Sequence, residues 1–181
     1  MPSPLQPCVF FDRDGIVNVA PPPEEYYVLS IDRLFVIPEF LEALGVAEER
    51  GYASVIVTNQ KCVEKGLITQ AGLDAIHAHL QQVATKAGRK LRAIYACPHG
   101  GDHPDRKPNP GMLLRAAHDH HLDLARSWMI GDHARDMQAG RAARCAKTVL
   151  VGGHGDCPTA DVCLAGMADL PQFLRRELPK T

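Results

Sequence analysis

The chain reads as an α/β protein built on a doubly wound, mostly parallel sheet. Two patterns carry that expectation. Short runs of apolar and β-branched residues alternate with longer stretches whose apolar residues recur three and four apart, and Gly or Pro marks the joins. Most of the short runs are apolar throughout, as strands covered on both faces should be. A length of 181 residues, 45% of them hydrophobic and 23% charged, suits one compact domain over 1–181 with enough apolar material for a core.

In chain order, the first strand is expected over Cys8 to Asp12, where Val9, Phe10 and Phe11 follow one another. An irregular stretch rich in Pro and aromatic residues, Ile16 to Ile37, leads to a helix over Pro38 to Arg50. The second strand covers Ser54 to Thr58. The second helix runs from Thr69 to Ala87, with Thr69 as its N-cap and Leu73, Ile76, Leu80 and Val83 as its buried face. A strand over Ala93 to Cys97 gives way to a second irregular stretch, Pro98 to Pro108, rich in His, Asp and Gly. A helix over Pro110 to His120, a strand over Trp128 to Gly131 and a helix over Ala134 to Ala143 follow. The series closes with strands over Thr148 to Val151 and Asp161 to Leu164 and a helix over Met167 to Glu177. Between these two strands, Gly152-Gly153-His154-Gly155 reads as a loop. Long irregular stretches in a compact domain are more often functional than accidental.

Composition narrows the function classes. Twenty Lys plus Arg stand against 21 Asp plus Glu, a formal charge of −1. No field of one sign draws the chain to nucleic acid or acidic lipid, so neither partner is expected. The first ten residues carry no basic region, and no later segment approaches about 18 uninterrupted apolar residues. A soluble cytoplasmic monomer is expected. The six cysteines form no CxxC pair or disulfide framework, so reduced thiols are the default.

In an open parallel sheet, ligands sit beyond the carboxyl ends of the strands, so the residues just past each strand carry the chemistry. The first strand ends in Asp12-Arg13-Asp14-Gly15, the second in Thr58-Asn59-Gln60, Lys107 follows the third, and the fourth ends in Gly131-Asp132 with Asp136 four residues on. Gly15 tolerates unusual dihedrals and permits a turn there. A bare carboxylate cluster repels itself and needs a hard cation, and oxygen ligands of this kind suit Mg²⁺. Such an ion shares its remaining positions with water and phosphate, while Thr and Lys bind the phosphate oxygens left over. A small phosphate ester is the implied substrate.

These segments resemble the four motifs of the haloacid dehalogenase (HAD) superfamily of phosphatases: Asp12-Arg13-Asp14-Gly15-Ile16-Val17-Asn18, Thr58-Asn59-Gln60, Arg106-Lys107-Pro108-Asn109-Pro110-Gly111-Met112, and Gly131-Asp132 with Asp136. Cys97-Pro98-His99 is a further marker, and the likeness spans Cys8 to about Leu150. It points to the branch of heptose bisphosphate and histidinol phosphatases, with a HAD-like Rossmannoid sheet and a minimal cap, since neither loop between motifs is long enough for a cap domain. The resemblance implies Asp12 as nucleophile, attacking phosphorus to give an aspartyl-phosphate, and Asp14 as the acid and base for leaving group and water. Arg13 would point away, Thr58 and the Asn59 amide would hold phosphate oxygens, and Lys107 would offset transition-state charge. Asp12, the Asp14 carbonyl and Asp132 would bind Mg²⁺, with Asp136 behind them. Gln60, Arg106, His133 and Lys61 are the candidate substrate contacts. Heptose 1,7-bisphosphate is the first substrate expectation, histidinol phosphate or another small ester the next, and a sugar-phosphate binding module without turnover stands as the other class.

Some segments depart from the family pattern. Relatives hold a structural Zn²⁺ through Cys-x-His and Cys-x-Cys; here Cys97 and His99 keep the first half, while His103 and Asp105 stand in the second. His and Asp are legitimate zinc ligands, so either a Zn²⁺ site or a metal-free remnant held by hydrogen bonds fits. The stretch Asn18-Val19-Ala20-Pro21-Pro22-Pro23-Glu24-Glu25-Tyr26-Tyr27 replaces a polar turn that touches sugar in relatives, and Glu24 with Glu25 would disfavour a second phosphate. Lys61 or Lys65 is a candidate for a distal anionic group, or a solvated lysine.

Overall fold

The computed structural model describes residues 5–152 and 159–181. Six parallel strands form one sheet in the order β3-β2-β1-β4-β5-β6: β1 Cys8–Phe11, β2 Ala53–Asn59, β3 Ala93–Cys97, β4 Trp128–Gly131, β5 Lys147–Val151 and β6 Val162–Leu164. The helices are α1 Pro38–Glu49, α2 Gln70–Lys86, α3 Gly111–His120, α4 Ala134–Ala142 and α5 Leu170–Glu177. Every strand and helix expected from the sequence is present, with ends shifted by a few residues at most. The largest shift is at the last helix, where Met167–Asp169 forms a 3-10 turn and Pro171 sits near the start of α5. Proline lacks the N–H that an interior turn needs but costs nothing in a first turn.

Strand side chains alternate between the faces. Val9 and Phe11 of β1 join Ile56, Ile130 and Val149 in a core covered by α1, α2 and α5. Cys8 and Phe10 face the other way, joining Val55, Val57 and Met129 beneath α3 and α4. The sheet is therefore wound on both sides; β1, β2, β4 and β5 are buried almost throughout, as their apolar runs required, while β3 is mostly half-buried and the edge strand β6 carries an exposed residue. Thr69 caps α2 by accepting a hydrogen bond from the Gly72 amide at 3.1 Å. The buried face of that helix is Leu73, Ile76, Leu80 and Ala84; Val83 is only half-buried, one position off the stripe.

The order places β1 between β2 and β4. Cys8 pairs with Ala53 on one side and Val9 with Trp128 on the other. The chain reverses direction across the sheet there, and the carboxyl ends of β1, β2 and β4 open into one crevice. The segment after β1 returns to it: Asn18 bridges both Asp14 and Val36, and Val19 donates to the Phe35 carbonyl at 2.9 Å. This folds residues 19–35 over one edge of the crevice. The expected loop over Gly152 to Gly155 lies outside the described residues beyond Gly152.

Candidate active site

Strand β1 stops at Phe11, and Gly15 takes a φ of +89°, a conformation that L side chains rarely adopt. A Cβ at Gly15 would collide with the Asp132 carboxylate, so glycine is needed both for the turn and for the approach of β4. The turn leaves Asp12 at the crevice floor, 5% exposed, beside Lys107, 2% exposed. Lys107 Nζ donates to Asp12 Oδ1 at 2.6 Å and to the Val57 carbonyl at 2.8 Å. It also lies 2.7 Å from Asp136 Oδ1, an ion pair whose alignment falls short of a hydrogen bond. Asn59 fixes this lysine by its backbone, accepting from the Lys107 amide at 3.0 Å and donating to its carbonyl at 2.9 Å.

Two buried carboxylates thus share one ammonium. Burial disfavours charge on Lys107, but Asp12 and Asp136 outweigh it and hold the amine above its ordinary range. For Asp12, burial raises the carboxyl, Lys107 lowers it and Asp136 raises it again, with a net upward direction. The floor keeps an excess of negative charge.

Asp14 is held differently. The Arg13 guanidinium donates to its carboxylate at 3.0–3.1 Å, Asn18 Nδ2 at 3.0 Å and Gln60 Nε2 at 2.9 Å. Burial pushes this carboxyl up, but Arg13 and the bonds from Asn18 and Gln60 prevail and hold it below the usual range. Arg13 itself is fully buried and reaches His77 Nε2 at 3.2 Å. Guanidinium nitrogens only donate, so His77 Nε2 accepts and the imidazole is neutral. Burial, reinforced by the Arg13 charge, lowers its pKa to about 4.

Above the floor lies a cavity of about 390 Å³, within the usual range for small-molecule clefts. Its lining comprises Asp12, Asp14, Thr58, Asn59 and Lys107, then Asp132, His133 and Arg135 from the end of β4 and the start of α4, and Ala20, Pro21, Pro23, Tyr26 and Tyr27 from the loop after β1. Ligand atoms of Asp12, Asp132, His133 and Asp136 lie within 4.8 Å of one another. Three hard carboxylates around an electronegative floor suit a divalent cation such as Mg²⁺. His133 Nδ1 contacts Asp132 Oδ1 at 2.5 Å, and that hydrogen bond raises the imidazole pKa.

A HAD-hydrolase-like family model matches residues 105–168. The chain is 36% identical to the D-glycero-beta-D-manno-heptose-1,7-bisphosphate 7-phosphatase of Escherichia coli K12, over 94% of this chain and 95% of that protein. The crystal structure of D,D-heptose 1,7-bisphosphate phosphatase from B. bronchiseptica, complexed with magnesium and phosphate, superposes with a TM-score of 0.83 at 31% identity, covering 95% of this chain and 99% of that one. The chain belongs to the HAD-like phosphatases. The enzyme from Burkholderia thailandensis is a further structural relative, with a TM-score of 0.69 at 25% identity over 95% of this chain and the whole of that one.

Within this HAD phosphatase, the structure brings Asp12, Asp14, Thr58, Asn59, Lys107, Asp132 and His133 to one cavity, with Asp136 buried behind it. Other expectations change. Arg13 does not point away: it is the main brace of Asp14. Gln60 is fully buried, its amide committed to Asp14 and to Thr58 Oγ1 at 2.9 Å. Arg106 and Lys61 do not line the cavity; the Arg106 guanidinium donates to the His99 carbonyl at 3.1 Å, and Lys61 lies against Gly100. Lys65 sits over the Tyr27 ring at 5.3 Å. Glu24 and Glu25 do not line the cavity either, and Glu25 pairs with Arg33 at 2.7 Å.

The zinc expectation is not supported. No three of Cys97, His99, His103 and Asp105 bring ligand atoms within 4.8 Å of one another. His103 Nδ1 accepts from the Asp105 amide at 3.1 Å and faces Cys97 Sγ at 3.7 Å, the two imidazoles stack at 4.5 Å, and Arg115 takes the Asp105 carboxylate. Hydrogen bonds and an ion pair hold the loop. Sequence reasoning missed His77 and Arg135. His77 has no local motif, since it reaches the site from the middle of a helix. Arg135 carried a signal: a cation in the first turn of a helix opposes the dipole.

Proposed function

We propose that this enzyme hydrolyses D-glycero-β-D-manno-heptose 1,7-bisphosphate at the 7-phosphate through an aspartyl-phosphate. The observation that carries the reading is the Asp12–Lys107–Asp136 group beneath a cavity whose wall holds Asp14. A carboxylate with a permanent cation 2.6 Å away, at the base of a cleft, is placed to attack phosphorus while the ammonium offsets charge on the phosphoryl oxygens.

Asp12 Oδ attacks phosphorus in line and the sugar oxygen departs with a proton from Asp14. In the free protein Asp14 is held as a carboxylate; a bound phosphoryl dianion beside it raises its proton affinity, so it takes up the proton it then delivers. In the second half it removes a proton from the water that attacks the aspartyl-phosphate. Thr58 Oγ1 and the Asn59 amide hold phosphoryl oxygens. Asp12, the Asp14 carbonyl and Asp132 would hold Mg²⁺, which when bound supplies charge neutralisation and orients the phosphoryl group. Asp136 keeps Lys107 in place.

The test is phosphate release with Mg²⁺, and with EDTA as control, from heptose 1,7-bisphosphate, histidinol phosphate and hexose phosphates. Metal-dependent release dominated by the heptose ester is the expected result. Negligible release from every ester by folded protein would overturn the reading in favour of a binding module.

A further inference from the structure

The sequence offered Lys61 or Lys65 for a distal anionic group of the substrate; neither lines the cavity, Lys61 lying against Gly100 and Lys65 over the Tyr26 and Tyr27 rings. The cavity does contain another permanent cation, Arg135, at the second position of α4. Its Nε is shielded from solvent with no hydrogen-bond partner, and the side chain forms no ion pair with any described residue. A shielded guanidinium N–H without an acceptor costs about 1–3 kcal/mol, and the helix dipole disfavours a cation at that position as well. An anion against Arg135 would supply the missing acceptor and place negative charge near the N-terminus of α4, removing the first penalty and offsetting the second.

The loop after β1 fits the rest of such a ligand. Tyr26 holds a φ of +60°, unfavourable for a residue with a side chain, and packs edge-on against Tyr27 with ring centroids 4.9 Å apart. With Pro21 and Pro23 it gives the cavity a stiff, largely apolar stretch of lining suited to the C–H face of a sugar ring, and Lys65 Nζ lies 5.9 Å from the Tyr26 ring and 5.3 Å from the Tyr27 ring. The carboxylates that would have repelled a second phosphate stand outside this wall, with Glu25 neutralised by Arg33.

We infer that the outer cavity is a subsite for the second anionic group of a bis-phosphorylated sugar, with Arg135 as its ligand and the Tyr26–Tyr27 face as the platform for the ring. The inference rests on the phosphatase reading above and adds the residue that sets its specificity. Arg135 is not part of the Asp12–Lys107–Asp136 group, so its removal is expected to act on recognition: KM rises and kcat follows little.

The experiment compares kcat and KM for heptose 1,7-bisphosphate and for the 7-phosphate lacking the anomeric phosphate, with Mg²⁺, in the wild type, Arg135→Gln and Arg135→Lys. Loss of one charge-assisted contact predicts a rise of about 10-fold to 100-fold in KM for the bisphosphate in Arg135→Gln, kcat within about threefold, and collapse of the bisphosphate preference. Arg135→Lys recovers part of that preference. An unchanged preference in Arg135→Gln, or an equal fall in kcat on both esters, overturns the inference. Failure of the heptose assignment looks different: the wild type turns over p-nitrophenyl phosphate but neither heptose ester. The same comparison on fructose 1,6-bisphosphate against fructose 6-phosphate then decides the role of Arg135, and loss of the preference for two phosphates in Arg135→Gln is again the supporting result.

Discussion

His77 makes the fold acid-sensitive by a calculable amount. Burial first, then the Arg13 charge, takes its pKa from 6.5 down to about 4. The folded-state pKa lies below the unfolded one, so between those values the unfolded chain binds more protons. Stability is therefore fully present above about pH 6.5 and is lost as pH falls toward 4. The gap from 6.5 to about 4, at about 1.4 kcal/mol per pH unit, is worth about 3 kcal/mol in full, and roughly 2 kcal/mol of it falls between pH 7 and pH 4.5. Replacing His77 by Asn removes the titration and leaves the carboxylates that also titrate. Urea unfolding followed by fluorescence of Trp128, the single and buried tryptophan, measures both proteins at the two pH values. The wild type should lose about 2 kcal/mol more than His77→Asn on acidification. Parallel losses, within about 0.5 kcal/mol, would refute a neutral, buried His77.

Asp12→Asn keeps the shape and removes the attacking charge, so phosphate release should fall by about 10⁴ or more with an unchanged circular dichroism spectrum; residual turnover near wild type would sink the covalent route. Lys107→Met leaves Asp12 and Asp136 buried without their shared cation, and urea unfolding should show a loss of about 3–5 kcal/mol at neutral pH. Gly15→Ala forces a side chain into positive φ and against Asp132; a cost of about 1–2 kcal/mol in thermal unfolding is expected with a fall in kcat, and a kcat within twofold of wild type would contradict the described turn.

The architecture was legible because its signals are local and repeated. Continuous apolar runs set the strands, and the three-and-four spacing of Leu73, Ile76 and Leu80 set the face of α2. The reactive rim was legible for a topological reason: residues past the carboxyl ends of parallel strands must converge, so Asp12, Thr58, Lys107 and Asp132 could be chosen without coordinates. What escaped was side-chain direction in irregular segments. Arg13 looked idle beside two aspartates because spacing alone does not show that the turn at Gly15 folds it back onto Asp14. Arg106 and Lys61 looked available because nothing in their neighbourhood reveals that the His99 carbonyl and Gly100 occupy them. The zinc expectation failed likewise, since ligand types in order do not fix whether their donor atoms meet.

The central strand closes the sheet against the latest of its partners. Cys8 takes a hydrogen bond partner, Ser127, 119 residues further along the chain, so β1 stays one-sided until β4 arrives. A chain cut before β4 would lack Asp136 and α4, leaving Lys107 with only Asp12 of its two carboxylates. The floor of the cavity thus draws on distant parts of the chain: Asp12 follows β1, Asp136 belongs to α4, and Lys107 between them makes the charge balance of the floor depend on β4 lying beside β1.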